Sequence, residues 1–151
     1  LSRTTQALVI CLFTSSLVVA DDQPTAQDVQ RILGTWQVTR FEHKGRVAPE
    51  GEAKATLLIE AGGKGTLRPP NGNAKFSYVV DDSKSPKQIT FIYEGGPLDG
   101  RKQFGIYKLE GEKLTLCFAS PRAGEAERPK EFKTEGSDYT LVVHQRVDEA
   151  K

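Results

Sequence analysis

The strongest constraint on this chain is a succession of eight short runs in which apolar and polar residues alternate, each separated from the next by glycine, proline or asparagine. Alternation at period two puts every second side chain on one face of an extended backbone, so each run reads as a half-buried β-strand. The runs are TWQVTRFE (35–42), ATLLIE (55–60), GTLR (65–68), AKFSYVV (74–80), QITFIYE (88–94), KQFGIYKLE (102–110), KLTLCF (113–118) and YTLVVHQR (139–146). Asn71-Gly72 and Glu110-Gly111 mark tight turns, because asparagine and glycine tolerate the positive φ that such turns demand. Ahead of the strands, TAQDVQRIL (25–33) reads as one short helix: Thr25 can cap it, Asp28 favours its positive end, and Val29, Ile32 and Leu33 share a face, with Gly34 as the stop. The expected architecture is therefore all-β, eight antiparallel strands closing up-and-down into a barrel behind a short N-terminal helix. A barrel of that size is either filled by side chains or just wide enough for a small ligand. An open sandwich is the alternative, although closure removes the sheet edges that a single-domain protein must otherwise protect.

The first twenty residues do not share this pattern. Arg3 is the only charge before Asp21, and ALVICLFTSSLVVA (7–20) is an apolar run ending in Val18-Val19-Ala20, the small-residue pattern of a signal-peptidase site. About 14 apolar residues interrupted by Thr14, Ser15 and Ser16 fall short of the roughly 20 needed to cross hydrocarbon. We read residues 1–20 as a signal peptide cut after Ala20, residues 21–151 as one domain, and the protein as secreted or periplasmic, without stable membrane insertion after cleavage. Removal of Arg3 leaves 20 basic against 20 acidic side chains. A balanced surface without a basic run argues against nucleic acid or an anionic membrane as a partner. Cleavage also removes Cys11 and leaves Cys117 alone, so no internal disulfide is expected and stability must come from the core.

The chemistry-bearing residues are sparse. His43 and His144 with one thiol offer no metal-ligand spacing, so no metal site and no cofactor are expected. No G-x-S-x-G elbow is present, and Cys117, set between Leu116 and Phe118 in a strand, reads as a structural thiol. Asp81-Asp82, Glu125 and Glu127 read as solvated loop carboxylates, and Gly62, Gly63 and Gly65 as a hairpin turn leading into a strand rather than a phosphate cradle before a helix. No catalytic residues are expected. The aromatics are more informative: Phe76 and Tyr78, Phe91 and Tyr93, and Phe104 come from three successive strands, and are the candidates to line an apolar interior if it is not solidly packed. Tyr107 has the opposite phase to Phe104, so at most one of those two can share that interior.

Gly34-Thr35-Trp36 behind a short helix, at the head of eight strands whose last ends in Arg146, resembles the G-x-W signature and late basic residue of lipocalins and the wider calycin group. The chain is more similar still to a lipocalin-like domain of unknown function found in secreted planctomycete proteins, through GTWQV, GIYKLEGEKLTLC (105–117) and RPKEF (128–132), in that order. The resemblance implies that Trp36 packs across the closed end of the barrel with the Arg146 guanidinium against its ring, a cation–π pair that can also satisfy carbonyls of the leading helix. It implies non-catalytic binding of a small apolar or amphipathic ligand inside the barrel. The rival expectation is a cell-envelope protein-interaction module with a filled core, acting through the loops Glu94 to Lys102 and Ala119 to Asp138; a secreted enzyme ranks third.

Overall fold

The computed structural model describes residues 27–51, 53–121 and 126–148; the leader read at residues 1–20 and the cap residue Thr25 lie outside them. A five-residue helix α1 (Gln27–Arg31) precedes nine strands: β1 (Gly34–His43), β2 (Arg46–Val47), β3 (Thr56–Glu60), β4 (Lys64–Arg68), β5 (Ala74–Asp81), β6 (Lys87–Glu94), β7 (Lys102–Glu110), β8 (Lys113–Phe118) and β9 (Thr140–Val147). From β3 to β9 each strand pairs antiparallel with the next, and β1 pairs with β3 on one side and β9 on the other. The β1–β9 seam runs from Thr35 opposite Val147 to His43 opposite Thr140, so the eight long strands close a barrel and the open sandwich is excluded.

β2 was not foreseen: it is a two-residue return of the chain, paired with Glu42 and His43, too short to carry alternation. The second departure is a β-bulge between Val38 and Arg40 in β1. A bulge inserts one unpaired residue and reverses which side chains face in beyond it. Trp36 and Val38 are buried before it, and Phe41 lines the interior beyond it, where unbroken alternation would have placed Arg40. The same stretch changes partner, because β3 covers only Gly34 to Gln37 of β1 and β2 covers only its far end.

The core lies inside the barrel and joins Ile32, Trp36, Leu57, Ile59, Phe76, Tyr78, Ile89, Phe91, Tyr107, Leu114 and Leu116. Phe76 and Phe91 meet edge to face, with centroids 4.9 Å apart at 81°, the arrangement that aromatic quadrupoles favour. Gly65 of β4 makes room for this pair, since a Cβ there would lie 2.5 Å from the Phe76 ring and 2.7 Å from the Leu58 carbonyl oxygen. Gly65 is thus a strand residue beneath an aromatic ring, and the hairpin turn itself is Ala61 to Gly63.

Candidate functional site

The two ends of the barrel differ. At one end α1 lies across the opening, and Trp36, fully buried, donates from Nε1 to the Ile32 carbonyl at 2.8 Å. Arg146, directly opposite Trp36 in the seam, places its guanidinium carbon 4.2 Å from the indole centroid. Its Nη1 donates to the Leu33 carbonyl at 2.6 Å, Nη2 to the Arg31 carbonyl, and Nε pairs with Glu112 at 2.7 Å. One planar fork thus satisfies two carbonyls that the short helix leaves without intrahelical partners, a geometry that an ammonium could not reproduce. Gly34 has φ +124°, and a Cβ on it would sit 2.9 Å from Arg146 Nη1. The glycine two residues before the tryptophan is what lets the arginine reach the helix.

Asp28 lies in the first turn of α1, as the sequence suggested, and it also completes this lid. It is buried, and its carboxylate accepts from Lys87 Nζ, from Tyr107 Oη at 3.1 Å and from Arg31 Nη1 at 3.1 Å. Burial alone would raise its pKa, but the hydrogen bonds from Lys87 and Tyr107, with the charges of Lys87 and Arg31, outweigh that and hold the carboxyl below its ordinary value. Burial and the adjacent Asp28 charge push the Tyr107 phenol well above its ordinary value, so the hydroxyl stays a donor.

Above this floor the barrel holds a cavity of about 130 Å³. Of the five aromatics expected to line it, Phe76, Phe91 and Tyr93 do. Tyr78 is interior but absent from the cavity wall, with its hydroxyl donating to the Glu60 carbonyl at 3.0 Å. Phe104 faces outward. β7 turns Gln103 into the cavity, and the intervening Phe104 lies on the outer surface with its ring centroid 5.2 Å from the Arg128 guanidinium carbon; the parity of the strand, set by Gln103 and Tyr107, decides this against Phe104. The wall is otherwise aliphatic and aromatic, including Leu57, Leu67, Leu116, Phe118 and Val142.

Two polar side chains in the wall were not anticipated, Gln103 and His144. Both sit at inward parity, Gln103 two positions before Gly105 and four before Tyr107 in β7, and His144 two positions after Val142 in β9, which is the signal that could have found them. Gln103 is internally satisfied: its Oε1 accepts from Tyr93 Oη at 2.7 Å, and its Nε2 donates to the Ala119 carbonyl at 3.1 Å. Burial pushes the Tyr93 phenol up to about 12. His144 lies one layer above the Trp36–Arg146 pair, opposite Val38 and Leu114, with Nδ1 3.3 Å from the Leu114 carbonyl. Burial pushes its pKa down to about 4, the Leu114 carbonyl offsetting only part of this, so the ring is neutral at pH 7. Val38, Phe41 and Ala55 line the cavity and also a depression on the outside of the barrel, where β1 has left β3.

The segment 126–139 is a strap against the outer wall rather than a free loop. Arg128 Nη1 donates to the carbonyls of Ile89 at 2.7 Å and Gly105 at 2.5 Å, and Nη2 to Thr90 Oγ1 at 2.8 Å. Pro129 and Thr134 are fully buried, and Lys108 Nζ lies 5.2 Å from the Phe132 ring centroid. Cys117 is fully buried against this strap; burial pushes its thiol up to about 11, the Lys133 backbone N–H offsetting only part. A thiol that is not ionised at neutral pH is a poor nucleophile. Among the described residues no group of three or more His, Cys, Asp and Glu side chains could hold a metal ion, and no helix is long and apolar enough to cross a membrane.

Fold and site together define a small closed β-barrel, latched at one end by a tryptophan–arginine pair and hollow above it. No family model matches the chain, and no solved structure matches it. It is similar to a surface layer protein of Brevibacillus choshinensis, 28% identical over 129 residues, which cover 81% of this chain. The match spans only 12% of the length of that relative.

Proposed function

We propose that this chain is a non-catalytic binding module of an exported protein, and that its barrel takes up a small, largely apolar molecule. The observation that carries this reading is the cavity of about 130 Å³ walled by Phe76, Phe91, Leu116, Phe118 and Val142. An apolar cavity of ~150 Å³ is enough to stay dry and bind benzene in another protein, whereas pockets for drug-sized ligands run to roughly 300–1,000 Å³. The guest class is therefore of single-ring size. The apolar leader at residues 1–20 and the likeness to a surface layer protein support a place in the cell envelope. The latch of Trp36 and Arg146 supports kinship with lipocalin-like domains.

Methyl resonances of Leu57, Leu116 and Val142 should move saturably when single-ring apolar molecules are titrated, and Val142→Phe should abolish the response by filling the space. Unmoved resonances across such a set would refute the reading. A second reading, an envelope interaction module, is favoured by the same surface-layer likeness. Its expected signature is a defined partner recovered from envelope extracts and lost on replacement of the 95–101 loop.

A further inference from the structure

We propose that the cavity selects a small neutral aromatic molecule carrying a hydrogen-bond donor, of the phenol class, whose hydroxyl donates to Nε2 of His144. The inference rests on the binding reading above and adds the chemistry of its ligand. A backbone carbonyl can only accept, so the His144 ring nitrogen facing the Leu114 carbonyl must carry the ring proton. In a neutral imidazole this leaves Nε2 with a lone pair and no proton. Among the described residues Nε2 has no protein partner, yet no side-chain nitrogen or oxygen there is both fully buried and unpartnered. Nε2 therefore keeps accessible surface, and since His144 as a whole is only 2% exposed, that surface opens onto the cavity it lines.

The other polar groups of the wall point to the same class. Tyr93 Oη donates to Gln103 Oε1 and Gln103 Nε2 to the Ala119 carbonyl, so both side chains are already engaged, whereas among the described residues His144 Nε2 has no partner. Among the described residues no lysine or arginine lines the cavity, so a carboxylate would enter without a counter-charge from them, at a desolvation cost that small apolar contacts do not offset. The rings of Phe76, Phe91 and Phe118 offer faces and edges to a flat guest. A guest with its hydroxyl toward His144, on the Trp36 side, and its ring among these aromatics uses every feature of the site.

The test compares phenol, toluene and anisole by calorimetry on the intact protein. Toluene matches phenol in shape without the hydroxyl, and anisole keeps the oxygen without the proton. We expect phenol to bind at least tenfold more tightly than anisole and no more weakly than toluene, despite the hydration its hydroxyl gives up. His144→Phe should bring the ratio of phenol to anisole affinity down to about one, whatever it does to the affinity for either alone. Should that variant fail to fold, the 15N resonance of His144 Nε2 in the unaltered protein serves instead: it should shift with phenol and stay in place with toluene. Equal affinities for the three molecules, or a still Nε2 resonance on phenol binding, would overturn the donor requirement while leaving the binding module standing. Binding of none of the three would overturn both.

Discussion

At the scale of single residues, the latch and the buried histidine make separable predictions. Arg146→Lys keeps the charge but loses the fork that holds the Leu33 and Arg31 carbonyls and the indole face. Hydrogen bonds to charged groups contribute about 1.5–3 kcal/mol each and less where water reaches them, as at Arg31, so a loss of about 1–3 kcal/mol is expected in chemical denaturation. Gly34→Ala should cost about 1–3 kcal/mol, because it demands a rare positive φ of a residue with a Cβ and pushes on the same guanidinium. For His144 the folded value near 4 lies below the ordinary 6.5, so the unfolded chain binds the extra proton between these limits. Stability is complete above pH 6.5 and falls as the pH drops towards 4, by about 3 kcal/mol in all. Asp28 and Glu42, held below their ordinary carboxylate values, lose their contributions only at lower pH. Denaturation midpoints between pH 4.5 and 6.5 should therefore flatten in His144→Leu, and an unchanged slope would show that another group drives the dependence.

At the scale of elements, the strands were legible wherever alternation was strong, as in β5 and β6, because one face meets the core and the other is more exposed. What escaped was whatever depends on a partner distant in sequence. The bulge at Thr39 leaves only a break of parity in TWQVTRFE, where the apolar positions pass from Trp36 and Val38 to Phe41, and closure against β9 decides that Phe41 rather than Arg40 turns inward. Phe104 was assigned to the interior since its own strand offers two phases, and the choice between them rests on Gln103 and Tyr107 meeting the core. The strap escaped because its composition is polar; its attachment is made by hydrogen bonds and by Pro129 and Phe132. Arg128→Ala should detach it, leaving the Ile89 and Gly105 carbonyls without their guanidinium donor. We expect a loss of about 1–3 kcal/mol and faster alkylation of Cys117, read by mass spectrometry on its peptide; protection equal to that of the unaltered protein would show that the strap is held elsewhere.

At the scale of the whole molecule, the seam joins the first long strand to the last, so the barrel exists only when residues more than a hundred positions apart have met. Contacts of such separation make folding slow relative to helical proteins. A chain ending at Asp138 would leave β1 and β8 with open edges and an uncovered core. We expect it to lack native near-ultraviolet ellipticity, and a folded truncation would show that closure is dispensable. The latch has one more consequence, for the way such a module sits in a longer polypeptide. Because Arg146 grips the carbonyls of Arg31 and Leu33, the first and last described elements meet at the same pole, the one that the helix covers. A unit whose two ends lie side by side is of the kind that a host loop accepts as an insertion without its own ends being drawn apart.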